Sequence, residues 1–238
     1  MTIYKVLFPL LELLPYNIAM KKRITLFHGS DHVIDSPVFG GGSPKNDYGF
    51  GFYCTPEEGA AKVWANRNGG PGYVNQYEID VSSLQILDLT APSFDAMYWI
   101  SLLLQHRSLD DTDRRKYKTL LEDLFRTYPV SIDGVDLIIG YRADDRYFRY
   151  CKDFLSSQLD YDSLTKALKL EKLGIQYVLL SPKAFQNIHF IRAEKIGEEY
   201  LHSYSQLMEK ANDEYQIIME GVDQRNGLFI RDKLYGKR

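Results

Sequence analysis

Cysteine is nearly absent: Cys54 and Cys151 are the only two in 238 residues. Two thiols cannot make a disulfide framework, nor a zinc site by themselves, so they read as reduced thiols of a cytoplasmic protein. No apolar run is long enough to span a bilayer. The opening stretch MTIYKVLFPLLELLPYNIAM is broken by Pro9, Glu12 and Pro15, and a spanning helix needs about 20 apolar residues. That stretch also lacks the small-residue cleavage site of a secretory signal, and no membrane partner is expected. Charge of one sign is lacking too. The net charge of −3 excludes a global basic field of the kind that gathers nucleic acid. No G-x-G-x-x-G opens a helix and no G-x-S-x-G is present, so neither a Rossmann dinucleotide site nor a serine nucleophile elbow is supported. His189 and His202 lack metal-ligand spacing, and no metal is expected.

What is present is an ordinary globular composition, 45% hydrophobic and 26% charged, in a length that suits one sizeable domain with an appendage. Short strands are expected at 23–28, 49–55, 73–80, 84–89, 135–141, 175–181 and 188–196. Helices are expected at 56–67, within 93–128, at 146–159, at 163–174 with Gly174 as a C-cap, and along 197–220. In the first of these, Pro56 is placed in the first turn and Ala60, Val63 and Trp64 form a buried stripe. The strands and helices do not alternate regularly, which argues for an α+β fold over a doubly wound one. Residues 1–19 read as an N-terminal arm or a mis-assigned start, because Met20 precedes the strand KKRITLFHGS.

Three segments carry candidate chemistry. LFHGS closes the first strand with His28, Gly29 and Ser30; DYGFGFYCTPEEGAAKVWA supplies glycines, Tyr53 and a helix; IQYVLLS is a late strand with Gln176 near its start. In this order they resemble the His-Tyr-Glu class of ADP-ribosyltransferases, which includes diphtheria-type toxins and poly(ADP-ribose) polymerases. A closer resemblance is to a bacterial family, domain of unknown function 3990, through GFGFYCT, IGYRADD and IQYVLLS. It covers about residues 23–192. The resemblance implies an ADP-ribosyltransferase-like split β-sandwich over 20–195, with a helix-rich insertion at about 93–172 and a helical C-terminal tail at 196–238. It implies NAD as substrate. His28 would bond the adenine-side ribose, backbone groups of Gly29 would pair with the nicotinamide amide, Ser30 would shape that edge, and Tyr53 would stack on the nicotinamide ring. His28, Tyr53 and Gln176 are then the expected catalytic residues.

Gln176 departs from the class, which carries Glu there. A carboxylate places charge beside the cation that develops as the nicotinamide–ribose bond breaks, whereas Gln brings only a hydrogen bond, and a charge-assisted bond is roughly twice as strong as a neutral one. Asp47, Asp144 and Asp145 are candidates for a substitute acid or a target-binding element; for the last two, a solvated ion-paired loop beside Arg142 and Arg146 is the plainer reading. The expected activity is NAD-dependent mono-ADP-ribosyl transfer to a macromolecular acceptor. The setting the resemblance implies is a bacterial toxin in a toxin–antitoxin or defence system, with an antitoxin protein as partner. Two alternatives stay open: an inactive NAD- or nucleotide-binding module, and an NAD glycohydrolase. Protein, RNA, DNA and small molecules all remain as acceptors.

Overall fold

The computed structural model describes residues 22–236 apart from 69, 108, 143–144, 169–173, 198–199 and 201. The proposed arm at 1–19 lies outside the described residues. In chain order the elements are β1 (Arg23–Ser30), β2 (Phe52–Cys54), α1 (Glu58–Ala65), β3 (Gly72–Asp80), β4 (Ile86–Asp88), α2 (Ala96–His106), α3 (Asp111–Lys116), α4 (Lys118–Thr127), β5 (Leu137–Tyr141), α5 (Asp145–Leu155), α6 (Tyr161–Leu168), β6 (Ile175–Leu179), α7 (Pro182–Gln186), β7 (Ile188–Ile196), α8 (Ser203–Glu220) and α9 (Ile230–Tyr235). The α+β expectation holds.

The strands form two sheets, one ordered β1-β3-β7 and the other β2-β6-β5-β4. They share one core: Leu26, Tyr77 and Ile79 of the first sheet pack with Leu137, Ile139, Tyr177 and Leu179 of the second. A strand buried on both faces reads as a continuous apolar run rather than an alternation. β5 and β6 show why. Leu137 and Ile139 face the other sheet, while Ile138 and Val178 join the large cluster of α2, α4, α5 and α6, built around Trp99, Leu103, Leu124 and Phe154. The outer face of the first sheet is covered by α1 through Ala61 and Ala65 against Val74 and Ile196. The layers therefore run α1, three-stranded sheet, four-stranded sheet, helices. Cys54 and Cys151 are free and buried, and burial pushes both thiols up. No helix among the described residues is long and apolar enough to cross a membrane.

Several local expectations are corrected. The strand at 49–55 is only Phe52–Cys54, because Gly49 takes a left-handed φ of 75° and turns the chain before it. Pro56 is not in the first turn of α1; it precedes the N-cap residue Glu57. The buried residues of α1 are Ala61 and Ala65, not the stripe through Ala60, Val63 and Trp64. The reason is close approach. A Cβ at Gly29 would sit 2.2 Å from the Ala61 carbonyl oxygen, and one at Gly72 would sit 2.5 Å from the Ala65 oxygen, so the helix lies almost on the strands and only alanine fits its inner face. The first strand, expected at 23–28, continues through Gly29 and Ser30, since both residues pair with β3. The short helix α7 lies between two expected strands where no helix was expected, and the short helix α9 lies in the C-terminal tail beyond the helix expected along 197–220.

Candidate functional site

A cleft of about 910 Å³ opens where β1, β2, α1 and the start of β6 meet. His28, Gly29, Asp47, Tyr53 and Gln176 all line it, although Asp47 and Gln176 are 129 residues apart in sequence. Among the described lining residues three arginines, Arg67, Arg107 and Arg142, stand against the one carboxylate of Asp47. The cleft thus carries the opposite sign to the chain as a whole.

His28 is fixed by two contacts. Its Nδ1 lies 2.6 Å from the Tyr53 carbonyl oxygen, and its ring stacks on Phe52 at 4.6 Å between centroids. A carbonyl can only accept, so Nδ1 carries the proton and Nε2 is left as an acceptor when the ring is neutral. Desolvation by burial lowers the His28 pKa, and the charges of Arg67, His32 and Arg142 push it the same way against the opposing pull of the Tyr53 carbonyl. The lowered pKa favours the neutral imidazole, whose Nε2 can accept a hydrogen bond.

Gly29 offers backbone to the same cleft. Phe27 bonds through both its N–H and its carbonyl to Thr55 on the β2 side. Strand geometry repeats every two residues, so the N–H and carbonyl of Gly29 point to that side too. The glycine itself is required by α1, as its missing Cβ would strike the helix backbone. Ser30 is engaged elsewhere: it accepts from Asn75 Nδ2 at 2.8 Å and donates to the His32 carbonyl at 2.6 Å. It is not among the cleft-lining residues. Tyr53 is locked at its far end, donating to the Gly49 carbonyl at 2.8 Å and accepting from the Tyr48 N–H at 3.0 Å. Tyr48 is fully buried; its hydroxyl donates to the Tyr141 carbonyl and accepts from Trp99 Nε1.

Gln176 is 7% exposed. Its Nε2 donates to Asp47 Oδ2 at 2.9 Å and, more weakly, toward the Tyr141 carbonyl at 3.4 Å. Both partners accept only, so the amide has one orientation, with Nε2 toward them. Asp47 also takes Arg107 at 3.3 Å. The acid sought by sequence thus stands behind Gln176, ion-paired, rather than in its place. Asp144 lies outside the described residues. Asp145 opens α5, and its side chain also lies outside them.

Sequence reasoning missed the basic residues of the cleft. Arg107 was inside a segment read only as helical, Arg142 was read as an ion-pairing loop residue, and Trp64 and Arg67 belonged to a helix whose inner face was assigned wrongly. The helix-facing signal was available in the glycines opposite it, Gly29 and Gly72.

The model of the family described as a protein of unknown function, DUF3990, matches residues 24–190. The chain belongs to that family. No curated protein and no solved structure matches this DUF3990 member. The matched span holds both sheets except Arg23 of β1 and residues 191–196 of β7, together with every cleft residue named above.

Proposed function

We propose that this DUF3990 protein binds NAD in the cleft and transfers its ADP-ribosyl group to a macromolecular acceptor as a mono-ADP-ribosyltransferase. The observation that carries the reading is the convergence of His28, Tyr53 and Gln176, from β1, β2 and β6 in two different sheets, on one cleft. The reading also accounts for the excess of positive charge there, since the ligand is anionic. In this reading the fold is an ADP-ribosyltransferase-like split β-sandwich, and the helices between β4 and β6 are its insertion.

Each side chain has a physical task. Neutral His28 accepts from a ribose hydroxyl through Nε2. The Gly29 backbone edge pairs with the carboxamide. Tyr53, its hydroxyl tied back to Gly49, presents a ring whose position is fixed before the ligand arrives, so little ordering cost remains at binding. Gln176 accepts a ribose hydroxyl through Oε1. The carboxylate of Asp47 behind it polarises the amide, and hydrogen bonds in a chain strengthen one another. Positive charge developing on the ribose as the nicotinamide departs then meets a preorganised dipole backed by a carboxylate. Asp47 replaces part of what a direct Glu would supply.

The test is nicotinamide release from NAD by the purified protein, with and without cell lysate, beside His28→Ala. Release that needs His28 and rises with lysate, with label retained on an acceptor, is the expected result. Release without acceptor would make the protein a glycohydrolase. A thermal shift with NAD and no release under either condition would leave a binding module and end the transferase reading. The toxin setting is tested by the same variant: growth arrest on expression is expected for the natural chain and not for His28→Ala.

A further inference from the structure

The function above uses His28, Tyr53 and Gln176 but leaves a second group on the cleft wall without a task. The Arg142 guanidinium carbon lies 3.7 Å from the Trp64 ring centroid, and that of Arg67 lies 4.1 Å from it. These distances keep the two carbons within about 8 Å of each other. All three residues line the cleft. They come from separate parts of the chain: Trp64 from the last turn of α1, Arg67 from the turn after it, Arg142 from the residue after β5.

We propose that Arg67 and Arg142, carried on the Trp64 indole, form a diphosphate-binding subsite for the bridge between the two nucleoside halves of a dinucleotide. The proposal rests on the NAD reading for the identity of the ligand, and on the geometry alone for its class. Stacking on an aromatic face uses the flat side of a guanidinium, while its hydrogen bonds leave in the plane, in a fork that matches phosphate oxygens. Two forks carried on one indole suit two adjacent anionic groups. A single phosphate or carboxylate would satisfy one fork. The cleft is also far larger than such an anion needs, and it holds neutral hydrogen-bonding groups, His28 and Gln176, suited to the nucleoside parts on either side. Both arginines act on His28 electrostatically, so the subsite lies near the ribose-binding residue, as a diphosphate joined to that ribose requires.

The experiment is calorimetric titration of the natural chain and the variants Arg67→Gln, Arg142→Gln and the pair, with ADP-ribose, ADP, inorganic pyrophosphate and adenosine as probes. ADP-ribose affinity is expected to fall at least about tenfold per arginine, and the salt dependence of binding to flatten, while adenosine binding and the melting temperature stay as in the natural chain. Intrinsic fluorescence supplies a second readout. Of the two tryptophans Trp99 is 1% exposed, so emission changes with ADP-ribose and pyrophosphate, and not with adenosine, report Trp64. The single variants stand in if the double one does not fold. Unchanged ADP-ribose affinity in the variants overturns the proposal, as does equal loss of adenosine, which would mean that the arginines only shape the cleft. Failure of the natural chain to bind any diphosphate probe overturns it as well. Arginine-dependent binding of ADP or pyrophosphate with no response to NAD would keep the subsite and end the NAD reading.

Discussion

His28 and Tyr53 hold their places through backbone carbonyls, whereas Arg67 and Arg142 rest on an indole face. The first wall of the cleft is neutral and joins two sheets. A displaced strand would move its polar atoms, so its geometry is as stiff as the fold. The second wall is cationic and hangs from the end of a helix and the end of a strand. Its contribution is charge, which acts over a Debye length of about 8–10 Å and weakens with salt. In the proposed function the two walls divide the work: rigid neutral contacts where angles matter, and stacked cations where attraction is enough.

The stiffness of the first wall depends on the seam between β1 and α1, and the largest effect is expected there. Gly29→Ala forces a Cβ to within 2.2 Å of the Ala61 carbonyl oxygen and 2.8 Å of the Ala65 nitrogen. Both are backbone atoms of the helix, so neither can swing aside. Overpacking typically costs about 1–3 kcal/mol and sometimes more, and we expect the upper end, with the helix lifted from the strand. Denaturant unfolding would measure it. Destabilisation below about 1 kcal/mol would show that α1 can shift without cost, and the wall would then be softer than the comparison holds.

That seam also marks how far the sequence could be read. β3, β7 and the doubly buried β5 were legible because their hydrophobic pattern is set by burial alone. His28, Tyr53 and Gln176 were singled out through motif order, and each lies in an expected strand, although that of Tyr53 is shorter than expected. The face of α1 was not, because alanines pack inward only where glycines on another strand admit them, and that is a tertiary fact. The Asp47–Gln176 bond was not legible either. It joins a loop to a strand 129 residues away, and no local pattern marks a pair that meets through the pairing of sheets. Arg67 carried no motif, and Arg142 lay within IGYRADD only as a companion of its acids; charge on a turn looks the same whether it faces water or a cleft.

A second prediction sharpens the contrast at Gln176. Replacing it by the Glu of the ADP-ribosyltransferase class that the sequence resembles would place a carboxylate at this position. Here the Nε2 position faces Asp47 Oδ2 at 2.9 Å and the Tyr141 carbonyl at 3.4 Å, so Gln176→Glu sets an acceptor against two acceptors. Two carboxylates in one site cannot both ionise freely, and one is driven to hold a proton. We expect NAD binding or turnover at neutral pH to fall by about tenfold or more, with partial recovery in acid. Adding Asp47→Asn to Gln176→Glu should recover it too, since an asparagine amide can donate to the new carboxylate. A gain of activity in Gln176→Glu alone would mean that Asp47 has no hold on this position.

The smallest effect is expected from the protonation of His28, and it distinguishes the walls by pH. Burial lowers its pKa below the ordinary 6.5, and Arg67, His32 and Arg142 add to the shift. The folded protein therefore binds fewer protons at this site than the unfolded chain once the pH drops below about 6.5. The stability linked to the neutral ring is fully present above that pH and is lost as pH falls through the folded value, where it levels off. Ligand binding follows the same direction, because protonation converts Nε2 from an acceptor into a donor. Adenosine affinity should be flat from neutral pH down to about 6.5 and should decline only in more acid solution, and His28→Asn should remove the decline. The arginines do not titrate in this range, so pyrophosphate binding should lack that acid limb apart from the probe's own titration. A loss of adenosine affinity as pH rises past about 6.5 would mean that the ring works as a cation, and the division between a neutral wall and a charged one would not hold.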